Sequence, residues 1–315
     1  MRFKIEEPPL LTRSSPLRRV QLVRLSRTGL AVSETLFDSV GGTGDRTFTR
    51  AGLTPGSYAI YYDNGLLGIQ IGHLGFNIVD RDVDAGTMVI KPSIALAGRI
   101  QASSGLPAGW TYNRAKVVLR PLDLRDRAMT VTLNRLNTAA ADGTFMIAFA
   151  PSTGSTERPG TIAEGRYQIS LTGLVEDQYL ASARYGAADV LDTGLVVDGP
   201  QPGPMELTIQ NGGSIEGTVR NDKDEPVADS RVVIVPAQSR RGNLNLFKTG
   251  FTDQYGRFSL RGVAPGDYGV LAWEDIDNGA WESPEFLKDF ESRAVRVSVS
   301  AGSPRNANVR VIPVP

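Results

Sequence analysis

The chain reads as an all-β protein of three tandem Greek-key β-sandwiches, with one short helix in the third. Three observations predict this: a tyrosine marker that recurs three times, period-two alternation of apolar residues after each copy, and turn residues between the alternating runs. The marker is Gly-x-Tyr, at Gly56-Ser57-Tyr58, Gly165-Arg166-Tyr167 and Gly266-Asp267-Tyr268, with the tyrosines 109 and 101 residues apart. After each tyrosine one face continues at every second residue, as Ile60 and Tyr62, Ile169 and Leu171, Val270 and Ala272. That period belongs to a half-buried strand. Short strands separated by turn signals about every 8–12 residues read as a sandwich or barrel.

Further markers keep the same order in each copy. An aromatic precedes the tyrosine, at Phe48, Phe145 and Phe258, and in the last two copies Gly143 and Gly256 stand two residues before it. Glycine supplies a turn and the Phe begins the next strand. Copies one and three share a tight connection, Gly52-Leu53-Thr54-Pro55-Gly56 and Gly262-Val263-Ala264-Pro265-Gly266, where copy two has an excursion over 151–162 rich in Ser, Thr, Gly and Pro. A segment ending in glycine follows the tyrosine strand, at Gly86, Gly199 and Gly302.

Opening strands are legible at Ala97-Gly98-Arg99-Ile100 and Glu216-Gly217-Thr218-Val219, whereas copy one offers only Phe3 and Ile5. The expected division is therefore a tail or residual strand over 1–14, a degenerate or truncated sandwich over 15–93, a second over 94–210 and a third over 211–315. The linkers are a few residues long, so the expectation is beads that cannot tumble independently, a rod or bent string with small contacts between them. The helix is expected over 284–292, with Ser283 as N-cap, Pro284 at the first helical position and Phe286, Leu287 and Phe290 on one face.

Composition excludes several functions. Among 315 residues, 34 Lys+Arg balance 34 Asp+Glu, so no net basic field favours nucleic acid or an anionic membrane surface. No cysteine is present, which removes disulfides, thiolate nucleophiles and zinc ribbons, and a single histidine, His73, removes multi-histidine metal sites. No signal peptide and no apolar run long enough to span a bilayer is visible.

The third copy, from Gly217-Thr218-Val219-Arg220 through Glu225-Pro226-Val227, Val232–Pro236 and Gly256-Arg257-Phe258 to Val263-Ala264-Pro265-Gly266-Asp267-Tyr268, resembles the carboxypeptidase regulatory-like domain. The resemblance covers residues 213–312 well, 94–210 less well and 15–93 weakly. It implies a transthyretin-like, Ig-like sandwich related to collagen-adhesin B-type and starch-binding-like modules. It also implies an extracytoplasmic bacterial setting (periplasmic, outer-membrane-associated or secreted), no catalytic residues or cofactor, and a polysaccharide or cell-surface protein as partner. A monomer, or part of a longer chain carrying the export signal, is the expected state.

The densest functional-looking patch is Trp273, Glu274, Asp275, Asp277 and Trp281, where two indoles stack on sugar rings and carboxylates accept hydroxyl hydrogen bonds, or where the indoles simply pack under the helix. Acid pairs at Asp222 and Asp224 and at Asp275 and Asp277 have the hard oxygens that Ca²⁺ prefers but lack its ligand loop, and turn chemistry accounts for them better. No carboxylate pair is marked for glycoside cleavage, and His73 has no nucleophile motif beside it. An isopeptide cross-link, which collagen-adhesin-like domains sometimes form, finds no lysine on the opening strand of copy three, whose lysines are Lys223, Lys248 and Lys288. Copy two has Lys116, and Lys4 is the one left in place for it. The short basic run Ser239-Arg240-Arg241 reads as a solvated loop or a site for an acidic partner.

Overall fold

The structure is a computed structural model that describes residues 1–6, 19–25, 31–37, 46–63, 70–92, 96–122, 138–147, 162, 164–199 and 203–313. Among these the architecture is almost entirely strand, with one short α-helix, as the alternation requires. The first repeat contributes β1 (Arg2–Glu6), β2 (Arg19–Leu25), β3 (Ala31–Phe37), β4 (Arg46–Thr49), β5 (Gly56–Asp63), β6 (Gln70–Ile78), β7 (Asp84–Val89) and β8 (Lys91–Pro92). The second has β9 (Leu96–Ala102), β10 (Lys116–Pro121), β11 (Thr144–Ile147), β12 (Gly165–Thr172), β13 (Gln178–Tyr185), β14 (Ala188–Asp189), β15 (Leu195–Val197) and β16 (Met205–Asn211). The third has β17 (Gly213–Arg220), β18 (Arg231–Pro236), β19 (Lys248–Phe251), β20 (Arg257–Val263), β21 (Gly266–Trp273), α1 (Pro284–Lys288), β22 (Val295–Val299) and β23 (Pro304–Ile312).

The three repeats share one topology. In each, the opening strand (β1, β9 or β17) lies between the Phe strand (β4, β11 or β20), antiparallel to it, and the closing strand (β7, β16 or β23), parallel to it. Opposite stands a sheet centred on the tyrosine strand, β5, β12 or β21, which pairs with β2, β10 or β18; in the third repeat the two faces join where Ala272 and Trp273 of β21 pair with Val311 and Ile312 of β23. Inward residues of the two sheets meet in one core per repeat. Phe3, Ile60 and Met88 lie in the first, Ile100, Tyr167 and Leu207 in the second, and Ile215, Tyr268 and Val309 in the third.

The opening strand of the first repeat is the element the sequence understated. Its alternation Phe3 and Ile5 in, Arg2 and Lys4 out is that of a half-buried strand, and it joins the fold instead of trailing from it. It resisted recognition because it lacks the glycine that marks the other two opening strands. Gly98 and Gly217 sit directly opposite Phe145 and Phe258, which lie over them, and a Cβ on Gly217 would stand 1.8 Å from the Ala307 carbonyl oxygen. In the first repeat the same position holds Phe3, which stacks on Phe48 with ring centroids 4.9 Å apart and planes 11° from parallel. Two stacked rings there stand where the other repeats have one ring over a bare backbone.

The marker glycines are a true geometric repeat. Gly56, Gly165 and Gly266 have φ of 154°, 154° and 150°, a region closed to side chains, so each tyrosine strand starts from the same glycine-only turn. In repeats one and three the tyrosine closes that turn, since the Tyr58 and Tyr268 hydroxyls each donate to the carbonyl four residues upstream, of Thr54 and Ala264, at 2.8 Å.

Helix α1 is shorter than the expected 284–292. Ser283 caps it by accepting from the Phe286 amide, Pro284 occupies the first position, and the α-helix ends at Lys288, followed by a 3-10 turn over Glu291–Arg293. No helix among the described residues is long and apolar enough to cross a membrane.

Candidate functional site

The outward face of the tyrosine-strand sheet is where the second and third repeats diverge. Cross-strand register makes the positions equivalent: Lys116 pairs with Thr172, Val118 with Ser170 and Arg120 with Gln168 in the second repeat. In the third, Arg231 pairs with Trp273, Val233 with Leu271 and Val235 with Gly269. The third repeat's set is mostly apolar and is covered from within its own chain segment, because Trp281, Phe286, Leu287 and Phe290 fold back over Val233, Val235, Leu271 and Trp273.

This cover closes the patch that suggested a sugar platform. Trp273 is the last residue of β21 and 3 % exposed, Trp281 is 5 % exposed, and the rings of Phe286 and Phe290 pack on Trp273 at centroid distances of 6.1 and 5.5 Å. Stacking on a sugar needs an open ring face, and neither indole offers one. Glu274, Asp275 and Asp277 remain exposed beside the buried rings. Glu282 turns away from them to another partner, described below.

The other sequence candidates are accounted for locally. Asn221, Asp222 and Asp224 form a turn in which the Asn221 side chain accepts from the Lys223 and Glu225 amides, and Asp224 pairs with Arg310 at 3.0 Å. No cluster of acids or histidine suited to a metal occurs among the described residues. His73 lies on β6 opposite Tyr61, with its side chain outside the described residues. Lys4 points away from the core of β1 and pairs with Glu6 at 3.0 Å, so it is not placed for a buried cross-link. Lys116, Lys223 and Lys288 are exposed. Lys248 donates to the Arg261 carbonyl at 2.9 Å, and burial pulls its ammonium below the usual lysine range against the opposing pull of Glu176. Arg240 and Arg241 are both engaged, Arg240 with the Pro265 carbonyl and Asp192, Arg241 with Glu291 at 2.6 Å.

The polar face of the second repeat is met by the third repeat at Arg120 and Gln168, while its far end at Lys116 and Thr172 is exposed. Gln168, 1 % exposed, donates to the Leu191 carbonyl at 2.8 Å and accepts from the Leu244 amide at 3.4 Å. Asn243, fully buried, donates to Asp192 at 2.7 Å while its oxygen caps the Asn245 amide at 3.0 Å, and Asn245 in turn donates to the Ile169 carbonyl at 2.7 Å. Arg120 grips Glu282 through two parallel bonds of 2.7 Å, the side chains being 25 % and 12 % exposed. Such a bidentate pair fixes orientation as well as distance.

A second line of contact runs along the connection between the repeats. Arg261 pairs with Asp177 through bonds of 2.7 and 2.9 Å, Tyr179 packs against the third core, and the Gly212 amide donates to the Asp177 carbonyl at 2.8 Å. Gly262 has φ of 62° and lies so close to the second repeat that a Cβ would meet the Glu176 and Gln178 carbonyl oxygens at 2.6 and 2.7 Å. The contact at this joint includes buried polar side chains and a bidentate ion pair. Short linkers bring neighbours together, and here the facing surfaces are matched in hydrogen-bond donors and acceptors. Sequence reading missed Gln168, Asn243, Asp192 and the Arg120 to Glu282 pair. At Arg120 and Gln168 the one signal is polar residues at outward strand positions where the third repeat carries Val235 and Gly269, whereas Asp192, Asn243 and Glu282 lie off the strands.

No family model matches the chain, and no curated protein matches it. Among solved structures, a streptococcal ancillary pilin is 10 % identical over 98 % of both chains at a TM-score of 0.26. A minor pilin of Streptococcus agalactiae is 12 % identical over 71 % of this chain and 98 % of its own at 0.25. The Bacillus anthracis TIE protein is 11 % identical over 98 % of this chain and 50 % of its own at 0.24. Likeness at these scores carries no argument about this chain, whose fold class rests on its own sheets.

Proposed function

We propose that the chain is a non-catalytic structural and interaction module in which β-sandwich domains, bounded near residues 93 and 211–213, hold neighbouring parts of an assembly at fixed geometry. The observation that carries this is the joint between the second and third repeats, where Gln168 and Asn243 are buried and each makes one hydrogen bond across it. Buried polar groups cost free energy unless paired, so a face carrying them is adapted to a partner of one particular shape. The resemblance of residues 213–312 to the carboxypeptidase regulatory-like domain supports placing the module in an extracytoplasmic protein.

Residual dipolar couplings test the reading. Amides of residues 96–211 and 213–312 are expected to fit one shared alignment tensor. Two independent tensors would mean that the repeats move on a free hinge and would remove the basis for a spacer of fixed geometry.

A further inference from the structure

We infer that the chain is built to carry tension applied at its two ends, each repeat acting as a shear clamp. The inference rests on the structural reading above and adds to it the direction and order in which the repeats resist force. The first and last strands of every repeat are neighbours and run parallel, β1 with β7, β9 with β16 and β17 with β23. Tension enters a repeat at the N-terminal end of its opening strand and leaves at the C-terminal end of its closing strand. In a parallel pair these are opposite ends of the ladder. The two strands are then pulled past each other along their length, and all their hydrogen bonds bear load together. Were the pair antiparallel, both points would lie at one end and the bonds would open one at a time.

The path is continuous across the second joint. β16 ends at Asn211 and β17 begins at Gly213, so a single residue, Gly212, hands tension from one clamp to the next. That residue is held on both sides, its amide by the Asp177 carbonyl at 2.8 Å and its carbonyl by the Gly302 amide at 3.1 Å. Side chains brace the ladders as well. Arg2 of β1 reaches Asp84 of β7 at 2.7 Å, and Thr218 of β17 donates to Asn308 of β23 at 3.0 Å.

The clamps differ in length, which sets an order of yielding. The third ladder matches seven residue pairs from Ser214 with Pro304 to Arg220 with Arg310. The second matches five, from Gly98 with Met205 to Ala102 with Ile209. The first matches four and is broken by a register shift between Arg2 and Lys4. The first repeat yields at the lowest force and the third at the highest.

Single-molecule force spectroscopy on the full chain tests this. One set of handles is attached at the two termini. A second uses cysteines introduced by Ser214→Cys and Arg305→Cys, which lie at the same end of the third ladder and peel it; the native chain has no cysteine to interfere. The expected result is a third-repeat yield force several-fold higher from the termini than from the peeling points, with the first repeat giving way before the others. Equal forces in the two geometries, with circular dichroism showing both proteins folded, would overturn the clamp. That outcome is separate from failure of the spacer reading, which would appear as two alignment tensors in the unstressed protein.

Discussion

The outward face of the tyrosine-strand sheet is solved in two ways within one chain. In the third repeat it is apolar and roofed by the segment from Trp281 to Phe290; in the second it is polar at Arg120 and Gln168 and roofed by the neighbouring repeat. The difference shows which coverings are permanent. An apolar face closed by its own chain is buried as soon as the repeat folds, whereas a polar face with its bonds satisfied by a neighbour remains compatible with water until that neighbour docks.

The sharpest way to break the comparison is at equivalent positions. Trp273→Ala should cost about 3–5 kcal/mol in urea unfolding of the third repeat, because it empties the roofed cluster. Thr172→Ala, at the register-equivalent but exposed position, should stay within about 0.5 kcal/mol. Equal effects would mean the two faces are not covered differently.

Gly217→Ala tests the tight side of the third sandwich. The added Cβ meets the Ala307 carbonyl, so β17 and β23 must part, at a cost of about 1–3 kcal/mol or more by thermal or urea unfolding. A neutral result would mean that the glycine answers to something other than this close approach.

Asn243→Ala removes a fully buried side chain that bonds Asp192 across the joint, and a loss of about 1–3 kcal/mol is expected. Amide hydrogen exchange should rise at Asn245 and at residues of the 237–247 segment. Unchanged exchange there would separate this residue from the docking.

The smallest expected effect concerns the turn tyrosines. Tyr268→Phe loses the bond to Ala264 and should cost about 1 kcal/mol, as should Tyr58→Phe at Thr54. Burial pushes the Tyr268 phenol up to about 12 from its ordinary 10.0. A raised folded value means the neutral phenol contributes stability fully below pH 10, and this is lost as pH rises through about 12. The Phe variant should lack this segment of alkaline sensitivity in a pH series of urea midpoints.

How much was legible follows from these same residues. Gly-x-Tyr announced the tyrosine strands because both its turn and its alternation leave marks in residue order: the shared φ near 150° calls for glycine, and the two faces of a half-buried strand call for period two. Ser283 and Pro284 announced the helix start for the same kind of local reason, though its length depended on how far the roof could extend before turning back. Phe3 hid the first opening strand because it replaces the glycine that marks the other two, and the ring it stacks on, Phe48, lies 45 positions away in the chain. Trp273 and Trp281 carried a double meaning that only burial resolves. Gln168 and Asn243 were invisible as partners, since a polar residue at an outward position looks the same whether it faces water or another repeat.

The most direct test of the joint is a charge-reversal cycle on Arg120 and Glu282, read by spin-label distances. Labels on cysteines introduced by Met146→Cys and Tyr255→Cys, both exposed and on different repeats, report the relative placement of the second and third repeats. Arg120→Glu and Glu282→Arg should each broaden a narrow distance distribution, and the double reversal should restore it. A distribution already broad in the unaltered chain, or a double variant no narrower than the singles, would contradict the account.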